Sequence, residues 1–404
     1  MRALFFAIAL FLVTDIAAQR TCNTEASYFQ RTNTTGNSVA SATQQDTVAD
    51  AIIYIPVVVH VLYHLPEHNI SNAQVISQIE ALNRDFGLSN DNRHAIPTAF
   101  QHLAADTRIR FCLARVDPMG RPTTGIVRKY TNVNPFMGDD AMKFSSAGGS
   151  DVWNPDHYLN IWVCNLFGRS LGYASVPGFQ RELDGIVVNW DVFGTVGNLR
   201  APYNEGRTAT HEVGHWMGLK HIWGDAICAS DDVDDTPRQK SYNNGCPNYP
   251  KVSDCSLDGH GDMFMNYMDL TDDGCMSMFT HGQKIKMRSV FAIGGLRNEM
   301  LNAFQCDSTR ASGAPLPPDP GPLPTVSVQV YPNPFVNHVV VETNLDVLTE
   351  PVMVQVYNMQ GQRILQQSFT TPKAEIVLRS LPKGMYLIKV TGNGIRKTFK
   401  TVKL

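Results

Sequence analysis

The chain has little charge, no long hydrophobic run past its start, and no internal repeat. Charged residues make up 18% of its 404 positions and the formal net charge is −3, so no basic field points to nucleic acid. The apolar run at the N-terminus, residues 3–13, falls short of the ~20 residues of a comfortable membrane helix, and nothing later could cross a bilayer. An apolar share of 43% still leaves material for real cores. The length corresponds to two or three domains at roughly 150 residues each. Such charge as there is lies unevenly. From Thr325 to the end, nine Lys/Arg stand against four Asp/Glu, so a basic tail follows an acidic body.

The N-terminal run reads as a secretory signal, residues 1–18: Arg2, the apolar stretch, then Ala17-Ala18 before Gln19. Export permits disulfides, and eight cysteines fit that setting. Residues 19–51 are polar and weakly patterned, as a pro-segment would be, with one cysteine, Cys22, in RTCNTE.

The chemistry is concentrated in residues 211–221, HEVGHWMGLKH. On a helix, residues four apart share a face, so His211 and His215 project side by side and can bind one zinc ion. Glu212 lies beside them, placed to hold a water rather than the metal. Gly218 allows the left-handed turn that ends a helix, and His221 can then return as third ligand. Three protein ligands leave a fourth position open, the mark of a catalytic site. A thiolate is a strong zinc ligand, so Cys22 could fill that position and keep an enzyme latent until the pro-segment is cut away.

Around this motif the patterning predicts a mixed α/β layer with the zinc helix packed on a sheet. Residues 52–64 and 158–166 read as buried strands, 107–116, 126–131 and 185–190 as further strands, and 172–176 as a short edge strand. A helix capped by Ser71 presents Val75, Ile76, Ile79, Leu82 and Phe86 and ends at Gly87. Residues 140–147 suggest a short helix, and residues 207–218 the zinc helix. Beyond His221 regular signals fade. Residues 281–304 show helical spacing through Ile285, Met287, Val290, Leu296 and Leu301, weakened at Gly294-Gly295. Residues 307–324 hold six prolines and two glycines and read as a linker. Short alternating strands then suggest a small β-sandwich over residues 325–404.

Residues 211–221 match the long zinc signature of metzincin metallopeptidases, and Met268 in NYMDLTDDGC is the candidate for the methionine beneath the metal. With DDVDDTP at residues 231–237, residues 52–306 resemble the pappalysin family in its compact secreted bacterial form. The resemblance implies an α+β catalytic domain: a mixed twisted sheet, a backing helix and a zinc helix above a cleft, and an irregular disulfide-stapled lower subdomain. It implies the pairs Cys228–Cys255 and Cys246–Cys275, with Cys112, Cys164 and Cys306 unassigned. It also implies calcium near the cleft, for which Asp231, Asp232, Asp234, Asp235 and Thr236 offer hard oxygen donors. Two positions depart from the family. Leu270 stands where a tyrosine is usual, two residues after the methionine, unless Tyr267 substitutes. Gly274 stands where members that cleave before arginine or lysine carry an acid, which argues against strict basic specificity.

The activity so implied is a secreted zinc endopeptidase acting on proteins or peptides as a monomer, with Glu212 as general base and Gly172, Tyr173 and Ala174 pairing with an extended substrate backbone. Two other classes compete. A surface binding protein with a structural zinc would not need Glu212. A zinc hydrolase of a non-protein amide such as peptidoglycan would be expected to carry a sugar-binding signature, and none is present. The tail resembles the C-terminal sorting domain of type IX secretion, through YPNPF at residues 331–335, VYN at 356–358, Gly361 and LPKGMY at 381–386. That implies passage through the type IX machinery of a Gram-negative bacterium, then release or attachment at the outer surface.

Overall fold

The central strand β1, Ile53–Tyr63, is eleven residues of nearly continuous β-branched and aromatic sequence, and all but Tyr54 and the last residue, Tyr63, are buried. A strand covered on both faces has no need of polar alternation. This computed structural model describes Cys22, Thr24 and residues 51–256, 259–311, 327–344, 348, 351–392 and 395–404. The expected signal peptide, the expected pro-segment apart from Cys22, Thr24 and Ala51, and residues 312–324 of the expected linker lie outside the described residues.

Strand β2, Ile109–Leu113, pairs in parallel with the first half of β1, and β3, Ile126–Tyr130, with its second half. On the other side lie β4, Leu159–Cys164, then β6, Ile186–Asn189, both parallel, and finally β5, Gly172–Ala174, antiparallel at the edge. Helix α1, Asn72–Phe86, begins at Ser71, whose Oγ accepts from Gln74 N–H at 3.0 Å, and ends at Gly87. Helix α2, Arg207–Trp216, packs against α1, β5 and β6. Helix α3, His281–Ser289, opens with a reciprocal Thr280/Gln283 capping box.

Several expectations need correction. Ile76 is 46% exposed, so α1 buries only Val75, Ile79, Leu82 and Phe86 of its expected face. Residues 140–147 form two 3-10 turns rather than one helix. The helical spacing over 281–304 yields α3 and a separate 3-10 turn, Asn298–Asn302, with Ile285, Leu296 and Leu301 exposed. Between α2 and residue 272 the described chain has no strand or helix. It is fastened by Cys228–Cys255 and Cys246–Cys275, while Cys112–Cys306 ties β2 to the end of this region. Among the described residues Cys22 and Cys164 are free thiols.

The tail has its own core, from Val328 and Phe335 to Val390 and Ile395. Sheets β10–β9–β12–β13 (Arg363–Phe369, Val352–Asn358, Gly384–Gly392, Ile395–Lys403) and β11–β8–β7 (Lys373–Val377, His338–Thr343, Val328–Tyr331) enclose it. Buried and part-exposed residues alternate along β8 and β9, as a sandwich requires.

Candidate metal centre

His211 and His215 leave the same face of α2, one turn apart. Met217 ends the helix and Gly218, at φ +90°, turns the chain so that His221 comes back to the same point. The three rings are 1%, 0% and 5% exposed. His215 Nε2 lies 3.1 Å from His211 Nε2 and 3.2 Å from His221 Nε2. Each Nδ1 faces a group that can only accept. His211 has the Tyr267 carbonyl at 2.7 Å, His215 the Leu219 carbonyl at 2.8 Å, and His221 a carboxylate oxygen of Asp225. The protons therefore sit on Nδ1, and three Nε2 lone pairs face one another. That arrangement repels itself unless a cation lies among the rings. Nitrogen donors at zinc-bond length in a tetrahedron stand roughly 3.3 Å apart, so the spacing fits zinc. Burial, then the neighbouring His221, holds His215 well below the usual histidine range, which keeps it neutral and able to ligate.

Met268 forms the floor. It is fully buried, its N–H donates to Asn266 Oδ1 at 2.9 Å, and its carbonyl accepts from Ile222 N–H. Its sulfur comes so close to α2 that a Cβ on Gly214 would lie 2.5 Å from Sδ, which is why this helix carries glycine between its two histidines. Tyr267 does not replace the missing tyrosine at Leu270. It is fully buried, its ring lies under the Arg207 guanidinium, and its hydroxyl accepts from Arg207 at 3.4 Å. Arg207 in turn pairs with Asp85 of α1, which also accepts from Thr210 Oγ1 at 2.6 Å. The backing helix thus holds the start of the zinc helix through a buried ion pair.

Glu212, 1% exposed, points at the sheet edge. A Cβ on Gly172 would stand 3.2 Å from Glu212 Cγ and 2.7 Å from the Val187 carbonyl, so only glycine lets β5 pass this close to the carboxylate. Gly172 and Ala174 face Glu212, Cys22 and Thr24, whereas the Tyr173 hydroxyl reaches the opposite side and donates to Asp140 at 2.9 Å.

Cys22 completes the group. Its Sγ and one ring nitrogen from each of His211, His215 and His221 all lie within 4.8 Å of one another. Cys22 forms a parallel bridge with Gly172, and its Sγ lies 3.6 Å from Glu212 Oε2. Burial, and next the Glu212 charge, push this thiol well above its ordinary range. A zinc ion at the shared point would act in the opposite sense.

Among the described residues, the histidine and cysteine group is the one place where three or more His, Cys, Asp or Glu side chains come together, so the aspartates of residues 231–235 do not bring three carboxylates to one point. Asp232 pairs with Lys220 at 2.6 Å, and Asp235 accepts from Thr280 Oγ1 and Gly282 N–H at the start of α3, 2.7 Å each. Asp231 accepts from Thr236 Oγ1 at 2.8 Å, while Asp234 is exposed. Gly274 has a carboxylate for a neighbour after all, since a Cβ there would lie 3.5 Å from Glu205 Oε1.

Three partners escaped the sequence reading. Asp225 holds His221, Thr24 touches Glu212, and Asp85 anchors α2. Asp225, four residues after His221, is the one a search for a carboxylate beside each ligand could have found.

Comparison with known proteins bears on the same residues. The family model described as pregnancy-associated plasma protein-A matches residues 145–292, and the model described as a secretion system C-terminal sorting domain matches residues 329–403. Mature mirolysin of Tannerella forsythia, solved with a cleaved peptide, is 47% identical, with TM-score 0.62, covering 65% of this chain and 99% of that one. Promirolysin of the same organism, solved as a mutant, is 43% identical, with TM-score 0.67, covering 73% of this chain and 100% of that one. Extracellular metalloprotease 1 of Coccidioides posadasii is 40% identical over 172 residues, 39% of this chain and 58% of the relative. The chain spans about half the length of several other curated relatives that it matches.

Proposed function

The chain belongs to the family of pregnancy-associated plasma protein-A, the pappalysins, and from that membership we propose that it is a zinc-dependent endopeptidase, exported and made in latent form. What carries the reading is the convergence of three Nε2 atoms with Glu212 beside them, next to a sheet edge. His211, His215 and His221 would hold the metal. Zinc, when bound, activates a solvent molecule and polarises the scissile carbonyl. Glu212 takes the proton of the attacking solvent and passes it to the leaving amine. Gly172, Tyr173 and Ala174 pair with the extended substrate backbone. A monomer suits this role, because strand addition needs the β5 edge accessible. Residues 52–306 form the catalytic domain and 325–404 the sorting domain, a division supported by two separate hydrophobic cores. Residues 1–18, 19–51 and 307–324 are assigned as signal, pro-segment and linker. The tail belongs with type IX sorting domains, so the protein is secreted or held on the outer cell surface.

The deciding experiment is digestion of an unfolded protein by the chain lacking residues 1–51. Cleavage that stops with a zinc chelator and returns with added zinc is expected. An intact protein substrate under all conditions, with or without cleavage of peptidoglycan, would overturn the reading.

Latency through Cys22 makes its own prediction. The Cys22→Ala precursor should hydrolyse a peptide at least tenfold faster than the wild-type precursor before any cut in residues 19–51, as followed by fluorescence with the intact chain verified by mass. Equal rates would rule out the thiol as a block.

For calcium we propose a narrower set than the five residues: Asp231, Asp234 and Thr236, with Ser230. These line a cavity of about 140 Å³. Asp231 is pushed up to about 6, chiefly by desolvation. A raised carboxylate pKa favours the protonated folded state, so its contribution to stability falls as pH rises from the ordinary Asp value through about 6. Calcium would relieve that loss. The rise in Tm on adding calcium to zinc-loaded protein should therefore be larger at pH 8 than at pH 5. A shift that is absent at both pH values removes calcium from this site.

A further inference from the structure

Two residues past Cys22, Thr24 is 5% exposed and makes three hydrogen bonds, to Cys22, Glu212 and Ala174. Its backbone N–H donates to Cys22 Sγ at 3.4 Å. Its hydroxyl donates to Glu212 Oε2 at 3.1 Å and accepts from the Ala174 N–H at 2.9 Å. The carboxylate can only accept and the amide can only donate. A hydroxyl does both, so it satisfies the two at once. A carbonyl in its place would suit Ala174 but face Glu212 oxygen to oxygen, and an ammonium would do the reverse. The spacing has a reason as well. Cys22 bridges Gly172 in parallel fashion, and in an extended segment residues i and i+2 share a side. A Cys-Xaa-Thr sequence therefore delivers the thiol to the histidines and the hydroxyl to Glu212 and Ala174 together.

We propose that Glu212 and the Ala174 N–H form a hydroxyl-binding subsite beside the metal centre, and that Cys22-Asn23-Thr24 is a two-point ligand with its thiol at the histidines and its hydroxyl in this subsite. The ligand class is a peptide of the form Cys-Xaa-Thr or Cys-Xaa-Ser. The role of Glu212 as the group being blocked rests on the endopeptidase reading; the binding itself does not. Latency then has two parts, one at the metal and one at the proton acceptor, and the second persists without the thiol.

The test is direct binding of a labelled RTCNTE peptide to the zinc-loaded chain lacking residues 1–51, by fluorescence polarisation, with peptide integrity checked by mass. Valine in place of the second threonine removes only the hydroxyl and leaves two buried polar groups without that partner. It should weaken binding roughly tenfold or more, while serine there should stay within about threefold. In Glu212→Gln protein the valine penalty should shrink, which couples the hydroxyl to that side chain. A valine peptide that binds within about twofold of the parent, or an unchanged penalty in the glutamine variant, overturns the subsite. In the precursor, Thr24→Val added to Cys22→Ala should raise activity further, and no increment would also count against it. Binding that depends on the hydroxyl in a protein that cleaves nothing would sink the endopeptidase reading alone. Cleavage without hydroxyl dependence would sink only the subsite.

Discussion

Glu212→Gln is expected to lower kcat on a peptide substrate by about a thousandfold, within the range that removal of a positioned proton-transfer group produces, while zinc stays at one per chain. The substitution removes the negative charge and the basicity of the carboxylate and turns one accepting oxygen into a donating NH2, while the bulk of the side chain is kept. Glutamine has the same shape and length, and the site offers it no other place to go. The side chain is buried between α2 and β5, so close to Gly172 that a single added carbon there would lie 3.2 Å from Glu212 Cγ. The histidines do not depend on it, because their Nδ1 partners are Tyr267, Leu219 and Asp225. The two readouts should therefore separate. Elemental analysis should find the metal retained, and KM should move little if Glu212 acts mainly in the transition state. Hydrolysis at the wild-type rate would show that the proton goes elsewhere. Loss of zinc along with activity would make Glu212 part of the metal cage instead. His221→Ala provides the contrast, since it should lose both together.

The parts of this site legible in the sequence are those set by local geometry. His211 and His215 meet because a helix turn brings i and i+4 together, and Gly218 with His221 follows from how helices end. The strands around β1 are legible because β-branched runs have few other uses. The long-range partners left no comparable trace. Thr24 meets Glu212 across 188 residues, and Cys112 meets Cys306 across 194. Thr24 looks like any other polar residue until an edge strand is laid beside it. The acidic run at residues 231–237 is hard to read for a related reason. Its local sequence offers donors, but Lys220, Lys286 and the start of α3 arrive from elsewhere and occupy several of them. Apolar spacing failed in the same way at Ile76, Ile285 and Leu296, which keep helical or near-helical period yet stay 46%, 59% and 59% exposed. Periodicity reports what a chain can bury, and only the packed neighbours decide what it does bury.

Arg297→Ala is expected to destabilise the fold more than any substitution at the metal centre. Arg297 lies far from the zinc ligands in sequence, yet it closes the end of the zinc helix. Its guanidinium stacks 3.7 Å from the centre of the Trp216 ring, its Nε donates to the Trp216 carbonyl at 3.1 Å, and its NH1 reaches both oxygens of Asp184 at 3.0 and 3.1 Å. Trp216 Nε1 also donates to Asp184, at 2.7 Å. Trp216 is the last residue of α2 and directly follows His215, while Asp184 stands two residues before β6. Arginine, tryptophan and aspartate are at most 6% exposed. Removing the arginine leaves a buried carboxylate with one neutral donor and a helix C-terminus without its cation, and cutting a buried pair in this way costs about 3–5 kcal/mol. For a domain of this size that corresponds to a fall in Tm on the order of 10 °C. Lysine at 297 should recover only part of it, since it keeps the charge but loses the planar fork and the stack on Trp216. Joint replacement of Asp184 and Arg297 by apolar residues should cost less than Arg297→Ala alone, because no unpaired charge remains. A scan of Tm across the four proteins checks this ordering, and a drop of under about 2 °C for Arg297→Ala would show that the pair does not brace the helix. Below its lowered Tm, Arg297→Ala should still bind zinc and cleave peptide, because no atom of the pair touches a ligand ring.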